Sequence, residues 1–282
     1  MGIKKATFAG SWYPDTEEEC LSLFDEYKSR IKLSDVEFAG IGGIVPHAGW
    51  YFSGKTAFTV FYNLAKRSNP DVVFIFGMHL NELSPSYIFN DEGLETPLGN
   101  LKVNEDMVEK LVSKFSFIEE NAYSFTPDNT VELQLPFIKY FFPDVSVVTV
   151  GVAPVETAIS IGYYSAEIAK NMGLNALFIG STDLTHYGPN YGFLPHGPGE
   201  SGFRWVKEVN DRRIIELFIE MDPAGVIDEA LSSRNACCPG AAAAAISAAK
   251  RTGATHGVLL DYTTSYDIHP DLSFVGYAGV VF

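Results

Sequence analysis

Cysteine is scarce in this chain: three residues in 282, of which Cys237 and Cys238 are neighbours. Three thiols cannot build a disulfide framework, and a bridge between adjacent residues is strained, so the composition points to a reducing compartment. Basic residues are few as well. Twenty Lys and Arg against 35 Asp and Glu leave a formal net charge of −15. That argues against a nucleic-acid backbone or an anionic membrane surface as the main partner, because both demand a local cationic excess. Long apolar runs are missing too. No stretch reaches the roughly 18 apolar residues of a membrane span. The charged start, Met1 to Thr7, continues without the apolar core of a signal peptide. A cytoplasmic protein is expected. With no repeat, low-complexity tract or linker in view, residues 1–282 are expected to form one domain, although the length alone would allow two.

What is present is apolar. Hydrophobic residues make up 46% of the chain, enough for a sizeable core. Asp15 to Arg30 reads as an amphipathic helix opened by a carboxylate capping pattern. Gly42 to Pro46 is a short apolar run ending at His47, and Lys55 to Ser68 reads as a helix. Asp71 to Phe76 is a buried-type strand ending at Gly77-Met78-His79. Val145 to Val152 reads as a strand, Glu156 to Asn171 as a helix, and Ala176 to Gly180 as a strand running into Ser181-Thr182-Asp183-Leu184-Thr185-His186. Helical stretches follow at Lys207 to Met221 and Pro223 to Ser232. The alanine-rich helix Ala241 to Lys250 is closed by Gly253. Strands at Gly257 to Thr263 and Ser273 to Phe282 complete the order. Alternation of this kind predicts an α/β fold, with a mixed or largely parallel sheet covered by helices on both faces.

His47, His79 and His186 share one setting, a glycine-flanked loop just past an apolar strand. Ligands of open α/β sheets bind at the carboxyl ends of strands, so these loops should converge. Three imidazoles meeting there suit a transition metal such as iron, copper, zinc or nickel. Any one of them alone reads equally as a hydrogen-bonded structural residue. Cys237 and Cys238 precede a helix, whose N-terminal amides and dipole favour a thiolate; the plain alternative is a pair of small buried thiols. Cys20, on the apolar side of the first helix, reads as core. His196, His256 and His269 lie in turns and read as structural or exposed.

Several ordered segments carry a resemblance. They are Ala9-Gly10-Ser11-Trp12-Tyr13-Pro14, Pro46-His47-Ala48-Gly49, Thr96-Pro97-Leu98-Gly99, Glu132-Leu133-Gln134-Leu135-Pro136, Ser181 through Gly188, and Gly276-Tyr277-Ala278-Gly279. In this order they resemble the Memo family along nearly the whole chain. The resemblance implies a fold like that of the class III extradiol dioxygenases, non-haem iron enzymes that open catechol rings. It also implies copper or iron binding, redox activity and, for prokaryotic members, association with radical-SAM and AMMECR-type proteins. Residue by residue, it makes His47, His79 and Cys237 metal ligands, with Asp183 and His186 lining the same pocket. The chain departs from the family pattern at three places: Gly77-Met78-His79 is one residue short, Asn129 stands where a His is usual, and Cys237-Cys238 replaces Cys-Gly.

If the dioxygenase likeness extended to function, the metal would take a catecholate and O₂ at adjacent open positions. His186 would then shuttle a proton while Asp183 oriented it. A thiolate in place of the dioxygenases' carboxylate shifts preference to softer ions, Cu(I) or zinc, and weighs against ring cleavage. Redox chemistry at the bound metal (copper, iron or zinc as occupants) is therefore the expected function. The alternative is a non-catalytic binding or scaffold protein that holds a peptide or small ligand in the same cleft. A hydrolytic triad of Ser181, Asp183 and His186 is a third reading, weakened by the lack of a Gly-x-Ser-x-Gly turn.

Overall fold

The computed structural model describes residues 2–31 and 37–282. Among them the strands are β1 (Ile3–Lys4), β2 (Gly42–Val45), β3 (Val72–Gly77), β4 (Ser86–Phe89), β5 (Gly93–Leu94), β6 (Leu101–Val103), β7 (Phe117–Glu120), β8 (Ser146–Gly151), β9 (Ala176–Ser181), β10 (His186–Tyr187), β11 (Val258–Thr264) and β12 (Phe274–Val281). The helices are α1 (Glu17–Arg30), α2 (Trp50–Ala65), α3 (Glu105–Lys114), α4 (Asn129–Glu132), α5 (Leu135–Phe141), α6 (Glu156–Asn171), α7 (Glu200–Trp205), α8 (Asp211–Glu220), α9 (Pro223–Ser233), α10 (Pro239–Thr252) and α11 (Ser265–Ile268).

Four parallel strands in the order β8-β3-β9-β2 form the middle of one mixed sheet. These are the continuous apolar runs of the sequence, and every residue of β2 and β3 is buried. Such strands need cover on both faces, since no side chain can point to water. Helices α10 and α6 supply it on one face, while α2 packs on the other with α1 and α5 behind it. Antiparallel β12 pairs with β2 and carries β11 and β10 beyond it. On the far side β8 pairs with β6 and β4. No helix among the described residues is long and apolar enough to cross a membrane.

The expected α/β architecture with a mixed sheet is thus the observed one. Local boundaries shift. The first helix is capped by Thr16, whose hydroxyl accepts from the Glu19 amide, so α1 opens at Glu17 and not at Asp15. The second begins at Trp50, five residues before the expected Lys55. Ser53 and Gly54 lie inside it, and the glycine answers packing, since a side chain there would collide with the Tyr27 hydroxyl and Trp50. The Lys207 to Met221 stretch likewise starts early. It runs from Glu200 through a π turn at Val206–Asn210 into α8. Finally, His186 sits in β10, paired opposite Val275, and not in a loop.

The alanines of α10 explain its depth. Residues Ala241 to Ala249 are all buried, and small side chains let the helix backbone lie close on both the sheet and α6. At the crossing with α6, a Cβ on Gly162 would run into the backbone of Ala244. Two effects therefore compete in Gly162→Ala. Helix propensity favours alanine by about 0.5–1 kcal/mol, whereas overpacking costs about 1–3 kcal/mol. Net destabilisation is expected, read as a lower urea midpoint with an unchanged slope. A variant as stable as the parent would mean that the helices do not approach this closely.

Candidate metal centre

The parallel strands end level with one another. Val45 of β2 pairs with Ser181 of β9, and Gly77 of β3 with Gly151 of β8. His47, His79 and Asp183 each follow one of these ends by two residues. Cys237 and Cys238 arrive from the side, at the start of α10. The Cys237 amide donates to the Asp183 carbonyl (3.1 Å) and the Cys238 amide to the Thr182 hydroxyl (3.0 Å). The Gly77-Met78-His79 segment turns sharply. Met78 takes a left-handed φ of 71°, which costs a residue with a side chain about 1–2 kcal/mol. Its amide donates to the Thr130 hydroxyl at 2.7 Å, and its side chain fills the space beside Gly151. That turn brings the His79 ring back to His47.

His47 is almost fully buried and is held from behind. Its amide donates to Asp183 Oδ1 at 2.7 Å, and its Nδ1 lies 3.0 Å from Ser181 Oγ. Ser181 spends its one hydroxyl hydrogen on the Thr130 carbonyl (2.7 Å). Its oxygen can therefore only accept from His47, which puts a proton on Nδ1 and turns Nε2 towards the centre. There Nε2 stands 3.2 Å from His79 Nε2 and 3.2 Å from Cys237 Sγ, and the two sulfurs are 3.7 Å apart. One donor atom from each of His47, His79, Cys237 and Cys238 lies within 4.8 Å of the others. Ligands bound tetrahedrally at about 2.0–2.3 Å are separated by about 3.3–3.8 Å, so these spacings suit one late transition-metal ion. His79, with 47% of its side chain exposed, is the edge of the group nearest solvent.

Charge in the buried group is redistributed without any ion. Burial alone would depress His47, but the Asp183 carboxylate and the Cys237 sulfur outweigh it and raise it from 6.5 to about 9. Burial would raise Cys237, yet the Cys238 thiol and His47 together bring it well below its ordinary 9.0. Cys238 is pushed up, first by burial and then by the neighbouring thiolate. Asp183 is raised by burial, although His47 and His186 pull it back. Both shifts favour a proton on His47 and negative charge on the Cys237 sulfur.

The structure brings together His47, His79 and Cys237 and sets Asp183 beside them. His186 stands apart from the donor atoms. Its Nδ1 is 3.1 Å from the Leu184 carbonyl, its ring is edge-on to Tyr191, and its charge acts on Asp183. The stretch between Asp183 and His186 is anchored by buried Asp211, which accepts from the amide and hydroxyl of Thr185 and from Tyr262. A side chain on Gly276 would strike that carboxylate. Ser181 is fully buried and committed to Thr130 and His47, which removes it from a hydrolytic triad. Cys20 is core, its Sγ 3.5 Å from the Pro14 carbonyl, while His256 and His269 are exposed. His196, also exposed, stacks on Trp205. Two features escaped the sequence reading. One is the second sulfur of the group, because successive side chains of an extended chain diverge. The other is Ser181 as the residue that sets the His47 tautomer. Asn129 donates to the His47 carbonyl at 3.0 Å and so supports that loop.

An α/β protein with a metal-type His/Cys cluster at its strand ends is the class this geometry defines. The fold is shared with a solved structure of an uncharacterized protein from Escherichia coli K12. That match has a TM-score of 0.56 at 9% identity, over 85% of this chain and 98% of that one. A family model described as Memo-like protein matches residues 4–281, and the chain belongs to the Memo family. Among its relatives, a MEMO1 family protein of Pyrococcus furiosus is 29% identical over 290 residues, covering 99% of this chain and 98% of the relative. One from Thermococcus onnurineus is 30% identical over 292 residues, covering 99% of each. One from Methanopyrus kandleri is 31% identical over 288 residues, covering 97% and 96%.

Two outcomes follow. With rising pH, raised His47 loses its contribution to stability between 6.5 and about 9, whereas lowered Cys237 gains one on the way up to 9.0. The slopes oppose, because the folded pair holds its proton on nitrogen and the unfolded pair on sulfur. Stability against pH is thus a poor reporter, and ultraviolet thiolate absorption is the useful one. Metal-free protein should show a thiolate at neutral pH that Cys237→Ser abolishes; a thiol titrating near 9.0 would contradict the pair. Ser181→Ala leaves Nδ1–H without its acceptor and should weaken Zn²⁺ binding about 10–100-fold in chelator competition.

Proposed function

We propose that this chain is a metal-dependent redox protein in which His47, His79 and Cys237 hold one transition-metal ion. The observation that carries the reading is the convergence of two imidazole nitrogens and a cysteine sulfur, with Ser181 accepting from His47 Nδ1 so that Nε2 faces the other donors. A nitrogen–sulfur donor set favours copper or zinc over iron(II). When copper or iron is bound, it supplies one-electron redox chemistry. The protein's own residues do the remainder. Asp183, buried against His47 and the Cys237 loop, holds the first imidazole in place through its main-chain amide. His186, donating from Nδ1 to Leu184 and acting on Asp183, carries protons at the edge of the site. The fold likeness to class III extradiol dioxygenases that the family resemblance implies fits a site at these strand ends. The same reading takes the cytoplasm as the compartment, a small molecule or peptide as the ligand, and radical-SAM and AMMECR-type proteins as associates.

Elemental analysis of protein purified without chelators or a metal-binding tag should find one copper, iron or zinc per chain. Oxygen-consumption assays on the loaded protein separate the roles. His186→Ala should cut turnover while nearly preserving metal affinity, whereas His47→Ala should lose both together. If parent and both variants match a free-metal control, the redox reading fails and a binding or scaffold role of the same cleft replaces it.

A further inference from the structure

We infer that Cys238 is a metal ligand in its own right, so that the site offers four protein donors, two imidazoles and two thiolates, with no coordination position left open. This rests on the reading of His47, His79 and Cys237 as a metal site and adds what that reading leaves free: the fourth position.

Neighbouring cysteines usually diverge, as successive side chains of an extended segment do. Here they do not. The turn at Cys238, with φ −130° and ψ 60°, comes just before the first residue of α10. Both backbone amides are bound to the loop after β9: Cys237 to the Asp183 carbonyl, Cys238 to the Thr182 hydroxyl. The Thr182 hydroxyl in turn donates to the Asp183 carbonyl at 2.9 Å, so the whole turn is fixed to the strand end. The resulting Sγ–Sγ distance of 3.7 Å matches the separation of about 3.8 Å for two thiolates bound tetrahedrally at about 2.3 Å.

The plain alternative is a buried thiol of the core. Cys20 shows what that looks like: it is fully buried on α1 with its sulfur 3.5 Å from the Pro14 carbonyl. Cys238 differs, since its sulfur faces the Cys237 sulfur and lies within 4.8 Å of donor atoms from three other residues. Both sulfurs also sit at the start of a buried 14-residue helix, whose positive dipole end favours negatively charged ligand atoms.

The consequence concerns substrate class. Sites with four protein ligands are closed, while sites that bind substrate on the metal keep a position open. With Cys238 bound, neither O₂ nor a catecholate has a place on the ion. The reaction partner is then one that exchanges electrons from outside the donor set.

X-ray absorption of the full-length protein, stripped of metal and reloaded with one equivalent of Zn²⁺, counts the sulfurs directly. Two sulfurs at about 2.3 Å and two nitrogens at about 2.0–2.1 Å are expected. Cys238→Ser should lower the count to one sulfur and weaken Zn²⁺ binding at least ~10-fold, the loss that removal of a mere outer-shell partner can already cause. One sulfur in the parent overturns the inference and leaves the three-residue site intact. Failure of the parent to take up Zn²⁺ overturns that site as well. The parent measurement needs no variant, so a misfolded substitution cannot blur the outcome.

Discussion

The imidazole of His47 is gripped on three sides, and the chemistry of the strand ends depends on that grip. Ser181 fixes its tautomer, Asp183 takes its main-chain amide, and Asn129 supports its carbonyl. The partners come from two segments distant in sequence, the end of β9 and the start of α4, so the residue is held by the fold and not by its own loop. Because Ser181 is itself held by Thr130, and Thr130 also takes the Met78 amide, the two histidine loops share one hydrogen-bonded support. A shift in α4 would therefore move both rings together.

Conserving this arrangement calls on segments that look unrelated in sequence. Glu132 accepts from the amides of Thr7 and Phe8 and from the Tyr13 hydroxyl. That carboxylate joins the Ala9-to-Pro14 segment to the short helix that carries Asn129 and Thr130. Trp50 extends the link, donating from its ring to the Leu133 carbonyl and from its amide to Trp12. The motifs at both ends of the amino-terminal half thus have a structural reason that none of them reveals alone.

The central strands were legible because burial on both faces forces continuous apolar runs such as Val72 to Phe76, and the alanine run of α10 was legible for a similar reason. Between Leu80 and Pro143 the sequence offered little. The strands there span only two to four residues each and mix exposed with buried positions, so no period develops. Trp50-Tyr51-Phe52 followed by Ser53-Gly54 hid the start of α2, since the glycine answers a tertiary contact with Tyr27 and not a turn. At the site, strand-end position nominated His47 and His79, while the helix start and the family resemblance nominated Cys237. Strand-end position also pointed to His186, which lies in β10 opposite Val275 and is not one of the four residues whose donor atoms cluster. The tautomer of His47 and the approach of the second sulfur depend on hydrogen bonds from distant segments, which no local pattern encodes.

The methyl-lined face of α10 also bears on how this protein can vary over time. A helix that meets the sheet and α6 mostly through alanine, with Ile246 its largest buried side chain and Ser247 donating to the Ile159 carbonyl, has little bulk to trim. At the alanine positions every change but that to glycine adds bulk, and it does so in a tightly packed helix that begins just after the two cysteines. Drift in this segment is thereby tied to the site some distance along the chain. A lineage that had lost the centre would be free to let these alanines go.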